Sequence, residues 1–151
     1  MKGKNQNTQK DIIVNILVNA NTFVTKCNNF LNNMLDYSIE SLQIVEEEIL
    51  EKVSKNLQNY DEIMQSFIIN QTGSYIFEVA RRNFGGKYYW YDPLNQPMLI
   101  TGQPIFEVSM VAFEKVKQRI ENGSKHNIPF FFKGYTHSVR TAKQGDQIMI
   151  Y

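Results

Sequence analysis

The chain carries one cysteine, Cys27, and two histidines, His126 and His137. A lone thiol excludes an intramolecular disulfide and any multi-cysteine zinc site. Its place on an apolar stripe makes it a packing residue of the first helix. Neither histidine shares an HExxH or comparably tight spacing with a carboxylate, so both read as loop residues. No metal and no cofactor is expected. There is no G-x-S-x-G; Ser74 has no histidine nearby, and Ser124 has only His126 with no third member, so no catalytic residue is assigned. Apolar runs are broken by Asn or charge before a membrane span is complete. A net charge of +1 gives no general attraction to nucleic acid or anionic lipid. These absences point to a soluble, cytoplasmic protein with no membrane segment and no specific nucleic-acid partner.

What is present is a core. Hydrophobic residues make up 42% and aromatics 13%, too much for a disordered chain. A length of 151 residues suits a single domain, 1–151, that needs no staples. Residues 1–10 are polar, with three lysines, and read as a frayed leader. Charge is unevenly spread. Between 36 and 62 there are eight acids against two bases, and between 81 and 143 ten bases against four acids, so the fold is expected to be dipolar.

Periodicity divides the chain. Apolar residues recur at Ile12, Ile13, Ile16, Leu17, Ala20, Phe23, Val24, Cys27, Phe30, Leu31, Met34 and Leu35, the spacing of an amphipathic helix over 12–35 with a wide apolar stripe. Asp36-Tyr37-Ser38 breaks it, with Ser38 as N-cap of a second helix whose inward stripe is Leu42, Val45, Ile49, Val53 and Leu57. Asn59-Tyr60-Asp61 resets the chain for a third helix, whose apolar pattern is Ile63, Met64, Phe67, Ile68, Tyr75, Ile76, Val79 and Ala80 and which runs to Gly85. Gly73 inside it marks either a kink or a close backbone approach. The double glycine Gly85-Gly86 then stops the helix and releases the chain into strands. Residues 88–91 and 98–101 form a hairpin around a proline-bearing loop. A fourth helix carries Val108, Val111, Ala112, Val116 and Ile120 and stops at Gly123. Residues 128–132 read as a strand, and 138–142 with 147–151 as a last hairpin. The expected class is α+β: N-terminal helices packed on a small antiparallel sheet, with one further helix.

Three segments carry a resemblance. Asp36-Tyr37-Ser38 with Ser41-Leu42, then Gly73 through Tyr75, Glu78 and Arg82 to Gly85-Gly86, and then Lys115 to Asn122-Gly123 resemble a loose group of small uncharacterised bacterial proteins. The resemblance spans about residues 35–132 and implies a shared fold. It brings no established activity.

The candidate binding residues cluster at the double glycine: Glu78, Arg81, Arg82, Tyr88 and Trp90. Glu78 faces Arg81 at i,i+3 and Arg82 at i,i+4, and the plain reading is a solvated helix pair. The functional reading is an arginine fork that binds a carboxylate or phosphate beside the aromatic strand. Along that strand Tyr88 and Trp90 share one face and Tyr89 and Tyr91 the other. Exposed rings of this kind suit another protein as partner, because they bury large area at little side-chain entropy. Glu46-Glu47-Glu48 and Glu51 read as a solvated face. The function expected from the sequence is a non-enzymatic protein-binding or accessory module, of the immunity type among others. The alternative is a small enzyme or anion-binding protein with Glu78 as acid or base and Arg82 as anion clamp.

Overall fold

The computed structural model describes residues 8–32 and 34–151; most of the expected leader, residues 1–7, lies outside them. Helix α1 (Gln9–Leu31) starts earlier than its apolar period, because Thr8 caps it by accepting from the Asp11 amide. Its buried stripe is Ile12, Ile16, Ala20, Phe23, Cys27 and Leu31. Asn32, in a left-handed conformation at φ 53°, ends it four residues before the expected stop. Asn28 then clasps Leu35 through both its amide and its carbonyl, which turns the chain back onto the helices.

Helix α2 (41–55) has Glu40, not the expected Ser38, at its N-cap; the Ser38 hydroxyl accepts from the Ser41 amide in the turn that leads into it. Its middle, Val45–Leu50, is wound as a π-helix. Val45, Glu46 and Leu50 are buried there, and Ile49, expected on the inward stripe, is only half-buried. Helix α3 (Glu62–Phe84) is capped by Asp61, which accepts from the Met64 amide. Every residue from Thr72 to Ala80 is buried, so this half of α3 is the central strut of the fold. At Gly73 it lies against Phe113, where an added Cβ would overlap the ring and come within 3.2 Å of the Phe113 Cα. The glycine serves a close approach.

Strands β1 (Lys87–Tyr91) and β2 (Gln96–Thr101) form the expected hairpin, pairing Tyr88 with Leu99 and Trp90 with Pro97. The helix expected from Val108 does not start there. Residues Glu107–Met110 are a strand, β3, and helix α4 (Ala112–Asn122) begins only after them. Val-Ser-Met alternates with period two and pairs antiparallel with β2, so β-pairing wins over the helical spacing that begins at Val108. Residues expected as a strand at 128–132 are the first turn of helix α5 (Ile128–Thr141). Asn127 caps it by accepting from the Phe130 amide, Pro129 sits in the first turn, and Ile128, Phe131, Phe132 and Tyr135 fall on one face. The last hairpin does not form. Residues 138–141 continue α5, and β4 (Gln147–Ile150) pairs parallel with β3.

The fold is α+β with a four-stranded mixed sheet in the order β1-β2-β3-β4, rather than an antiparallel one. One inward row, Tyr88–Leu99–Met110–Ile150, crosses all four strands. The helices meet the sheet on this face: Tyr88 touches Phe77 of α3, and Thr101 shares a hydrogen bond with Tyr135 of α5. Helix α2 closes the far side against α4 and α5. No helix among the described residues is long and apolar enough to cross a membrane.

Candidate functional site

Helix geometry and the double glycine bring four of the five predicted residues together. Glu78, six residues before the helix end, is fully buried. It accepts from Arg81 Nε at 2.7 Å and Nη2 at 2.9 Å, from Arg82 Nε at 3.1 Å and from Tyr88 Oη at 2.7 Å. The solvated-pair reading of this trio is therefore corrected: the carboxylate is the internal keystone that ties the end of α3 to β1. Gly85 and Gly86, both at positive φ, make the turn tight enough for Tyr88 to reach it. Burial pushes the Glu78 carboxyl up, but the hydrogen bonds from Arg81, Tyr88 and Arg82 outweigh it, and its pKa ends below the ordinary value. Tyr88, at 2% exposure, is pushed well up by burial and by the Glu78 charge. It stays a hydrogen-bond donor.

Arg82 continues outward. Its guanidinium lies 3.6 Å from the centroid of the Tyr37 ring, which stacks in turn on Tyr75. Tyr37 adopts φ 64°, and its amide donates to Tyr75 Oη. Trp90 stands apart from the cluster. Its indole donates to Asn95 Oδ1 at 3.2 Å, and its ring lines a cleft of about 380 Å³ with Ile16, Asn19 and Phe113. Tyr88 and Trp90 therefore belong to the inward face, and Tyr89 and Tyr91 are turned away from the helices. Tyr89 Oη donates to Gln103.

No family model, curated protein or solved structure matches this chain. Function must be read from its own side chains.

A second charged cluster was missed in the sequence. Arg119 of α4 has no exposed surface. It binds Glu46 through Nε at 2.7 Å and Nη2 at 2.6 Å, and Glu51 through Nη2 at 2.9 Å. Glu46 also accepts from the Ile128 amide at the start of α5. The run 46–48 is thus not one solvated face: Glu46, one turn after the buried Leu42, is buried, whereas Glu47 and Glu48 are in solvent. The signal for Arg119 was its position seven residues after Ala112 and three after Val116, on the buried stripe itself. The cluster joins α2, α4 and α5, and its carboxylates are occupied.

Neither histidine is among the hydrogen-bond partners of Glu78. His126 Nδ1 lies 3.4 Å from Lys115 Nζ, and burial together with the cations of Lys115, Lys125 and Arg119 lowers its pKa. His137 is exposed on α5. Among the described residues no group of histidine, cysteine and carboxylate side chains gathers at metal-binding spacing.

Phe30, Met34, Ile63, Met64 and Phe67, expected on the apolar stripes of the first and third helices, are exposed instead. Lys26 of α1 donates to Gln71 of α3, and Phe23 packs on Tyr75, so the two helices run antiparallel. One turn beyond Lys26 and Gln71 on the same flank are Phe30 and Phe67. Phe30 is 64% exposed and Phe67 58%; Ile63, a turn further along α3, is 68% exposed. Met64 and Met34 add to the same end.

Proposed function

We propose that the chain is a non-enzymatic protein-recognition module whose partner docks on the shared end of α1 and α3. The observation that carries this is the gathering of Phe30, Met34, Ile63, Met64 and Phe67 there, all exposed. Single exposed apolar residues are ordinary; several at one place mark an interaction site. Phenylalanine and methionine are also the types enriched at the centres of protein interfaces. The first turns of α3 extend past their packing partners, which leaves a helix flank open. Asp61 and Glu62, both exposed, border it. The partner that fits has an apolar centre and a basic rim.

The enzyme alternative loses its acid–base group. Glu78 has no exposed surface, all its hydrogen bonds go to Arg81, Arg82 and Tyr88, and its lowered pKa keeps it ionised. A general base must instead reach a substrate proton.

The test is affinity capture from the native cell with the wild type and with Phe30→Asp/Phe67→Asp. Both positions are exposed, so the variant is expected to melt within a few degrees of the wild type. It should lose the captured protein. A variant that folds normally and captures the same protein in the same amount contradicts the proposal.

A further inference from the structure

A cleft of about 220 Å³ lies at the opposite end of α1, where its first turn meets the Gly85-Gly86 joint. Three cations line it: Lys10 of α1, Arg81 of α3 and Lys87 of β1. Neither Lys10 nor Lys87 has a carboxylate within ion-pair distance among the described residues. Residues 1–7 contain no acid, so the undescribed residues of this chain bring none. Asp11, the nearest acid in sequence, accepts from Thr8 instead.

Arg81 is fixed in place. Its Nε and Nη2 are held on Glu78, at 2.7 and 2.9 Å. A guanidinium bound along that edge keeps its other edge, Nη1 and the second Nη2 proton, free to donate. Arg82 is tied to Glu78 and Tyr37, so one carboxylate serves two arginines. With Lys10 and Lys87 this end of the molecule carries four cations against two anions, Glu78 and Asp11. Side chains already immobilised by the fold bind without the ordering cost that free ones incur.

We infer that this cleft binds a phosphomonoester dianion. The free edge of Arg81 presents a planar fork to two phosphate oxygens, and Lys10 and Lys87 supply the charge that a dianion needs and a monocarboxylate does not. Ile13, half-buried on the wall, offers an apolar surface to the ester group. The phosphate belongs either to a free small molecule or to a phosphorylated side chain of a protein. The inference rests on no part of the protein-recognition reading, since the apolar patch lies at the other end of α1.

The test is NMR titration of the ¹⁵N-labelled protein at constant ionic strength, following the Arg81 Nε–H, which its bond to Glu78 protects. The probes are inorganic phosphate, phenyl phosphate, a phosphoserine pentapeptide, benzoate and sodium chloride. Both phosphates are expected to shift this resonance saturably, phenyl phosphate more tightly than inorganic phosphate, and benzoate at least about tenfold more weakly. Lys10→Gln and Lys87→Gln should each weaken phenyl phosphate about fivefold or more, with the unfolding temperature unchanged because both lysines are exposed. Lys→Arg at either position should preserve binding. A pentapeptide that binds more tightly than phenyl phosphate assigns the phosphate to a protein, and the reverse order to a small molecule; either order sustains the site. Shifts that chloride reproduces, or that survive both Lys→Gln substitutions, overturn it.

Discussion

Glu78→Gln probes the keystone directly. The substitution keeps the shape of the side chain and removes its charge. A glutamine amide retains one acceptor oxygen and turns the other position into a donor, so at least one arginine N–H then faces an N–H. Removing one partner of a buried ion pair costs about 3–5 kcal/mol. The side chains of Arg81 and Arg82 are 31% and 40% exposed and regain water on release, which discounts their share. Tyr88 cannot regain water, but it keeps the remaining oxygen. The expected loss is therefore at the lower end, about 3 kcal/mol, or a fall in melting temperature of roughly 6–12 °C for a chain of this size. Urea denaturation at pH 7 measures it. The pH dependence has a defined sign. Because the folded pKa of Glu78 lies below 4.5, its contribution is full above the unfolded pKa and is lost as pH falls through the folded value. The gap between wild type and variant should be constant above about pH 5 and close at more acid pH. A loss under about 1 kcal/mol at pH 7, or a gap that persists unchanged to about pH 3, refutes the reasoning.

Two further outcomes follow from the geometry. Gly85 has φ +79° and open space around an added Cβ, whereas at Gly86, φ +133°, the Cβ would meet Ile100 O at 2.8 Å and Thr101 Oγ1 at 2.9 Å. Gly85→Ala should cost about 1 kcal/mol and Gly86→Ala about 2–4 kcal/mol; equal losses in thermal melts would contradict the role given to the joint. Cys27 is 5% exposed, and burial, opposed by the neighbouring Lys26 charge, raises its thiol to about 11. With Ellman's reagent at pH 8 it should react only as fast as the fold opens, and a rapid burst from native protein would show that the first helix is not packed as described.

Legibility followed the physics of each segment. The first three helices and the hairpin were readable because apolar residues recur at three-and-four spacing from Ile12 to Leu35, from Leu42 to Leu57 and from Ile63 to Ala80, and Gly85-Gly86 punctuates the change to strands. Glu107–Met110 and Ile128–Thr141 were not, because short apolar and aromatic runs fit both periods. Their states are decided by pairing with β2 and by the Asn127 cap. Glu46 lies one turn after Leu42, on the buried face, but a carboxylate in an acidic run reads as solvated unless its partner is known, and Arg119 arrives from another element. At the site, the i,i+3 and i,i+4 spacing placed Glu78 beside both arginines. It could not show that the carboxylate is buried, since Tyr88 arrives from the next element. The Phe30 and Phe67 surface was invisible for a different reason. Both residues fit the apolar period of their helices, and only the antiparallel register shows that they extend beyond the core.

The central claim is that a protein partner sits on the shared end of α1 and α3. Photo-crosslinking in the native cell tests it, with benzoylphenylalanine placed in turn at Phe67, at Tyr91 on the outward sheet face and at Val18 on the outward flank of α1. A discrete adduct to one protein from position 67, and none from 91 or 18, is the predicted result; an adduct from 91 or 18 with none from 67 contradicts it.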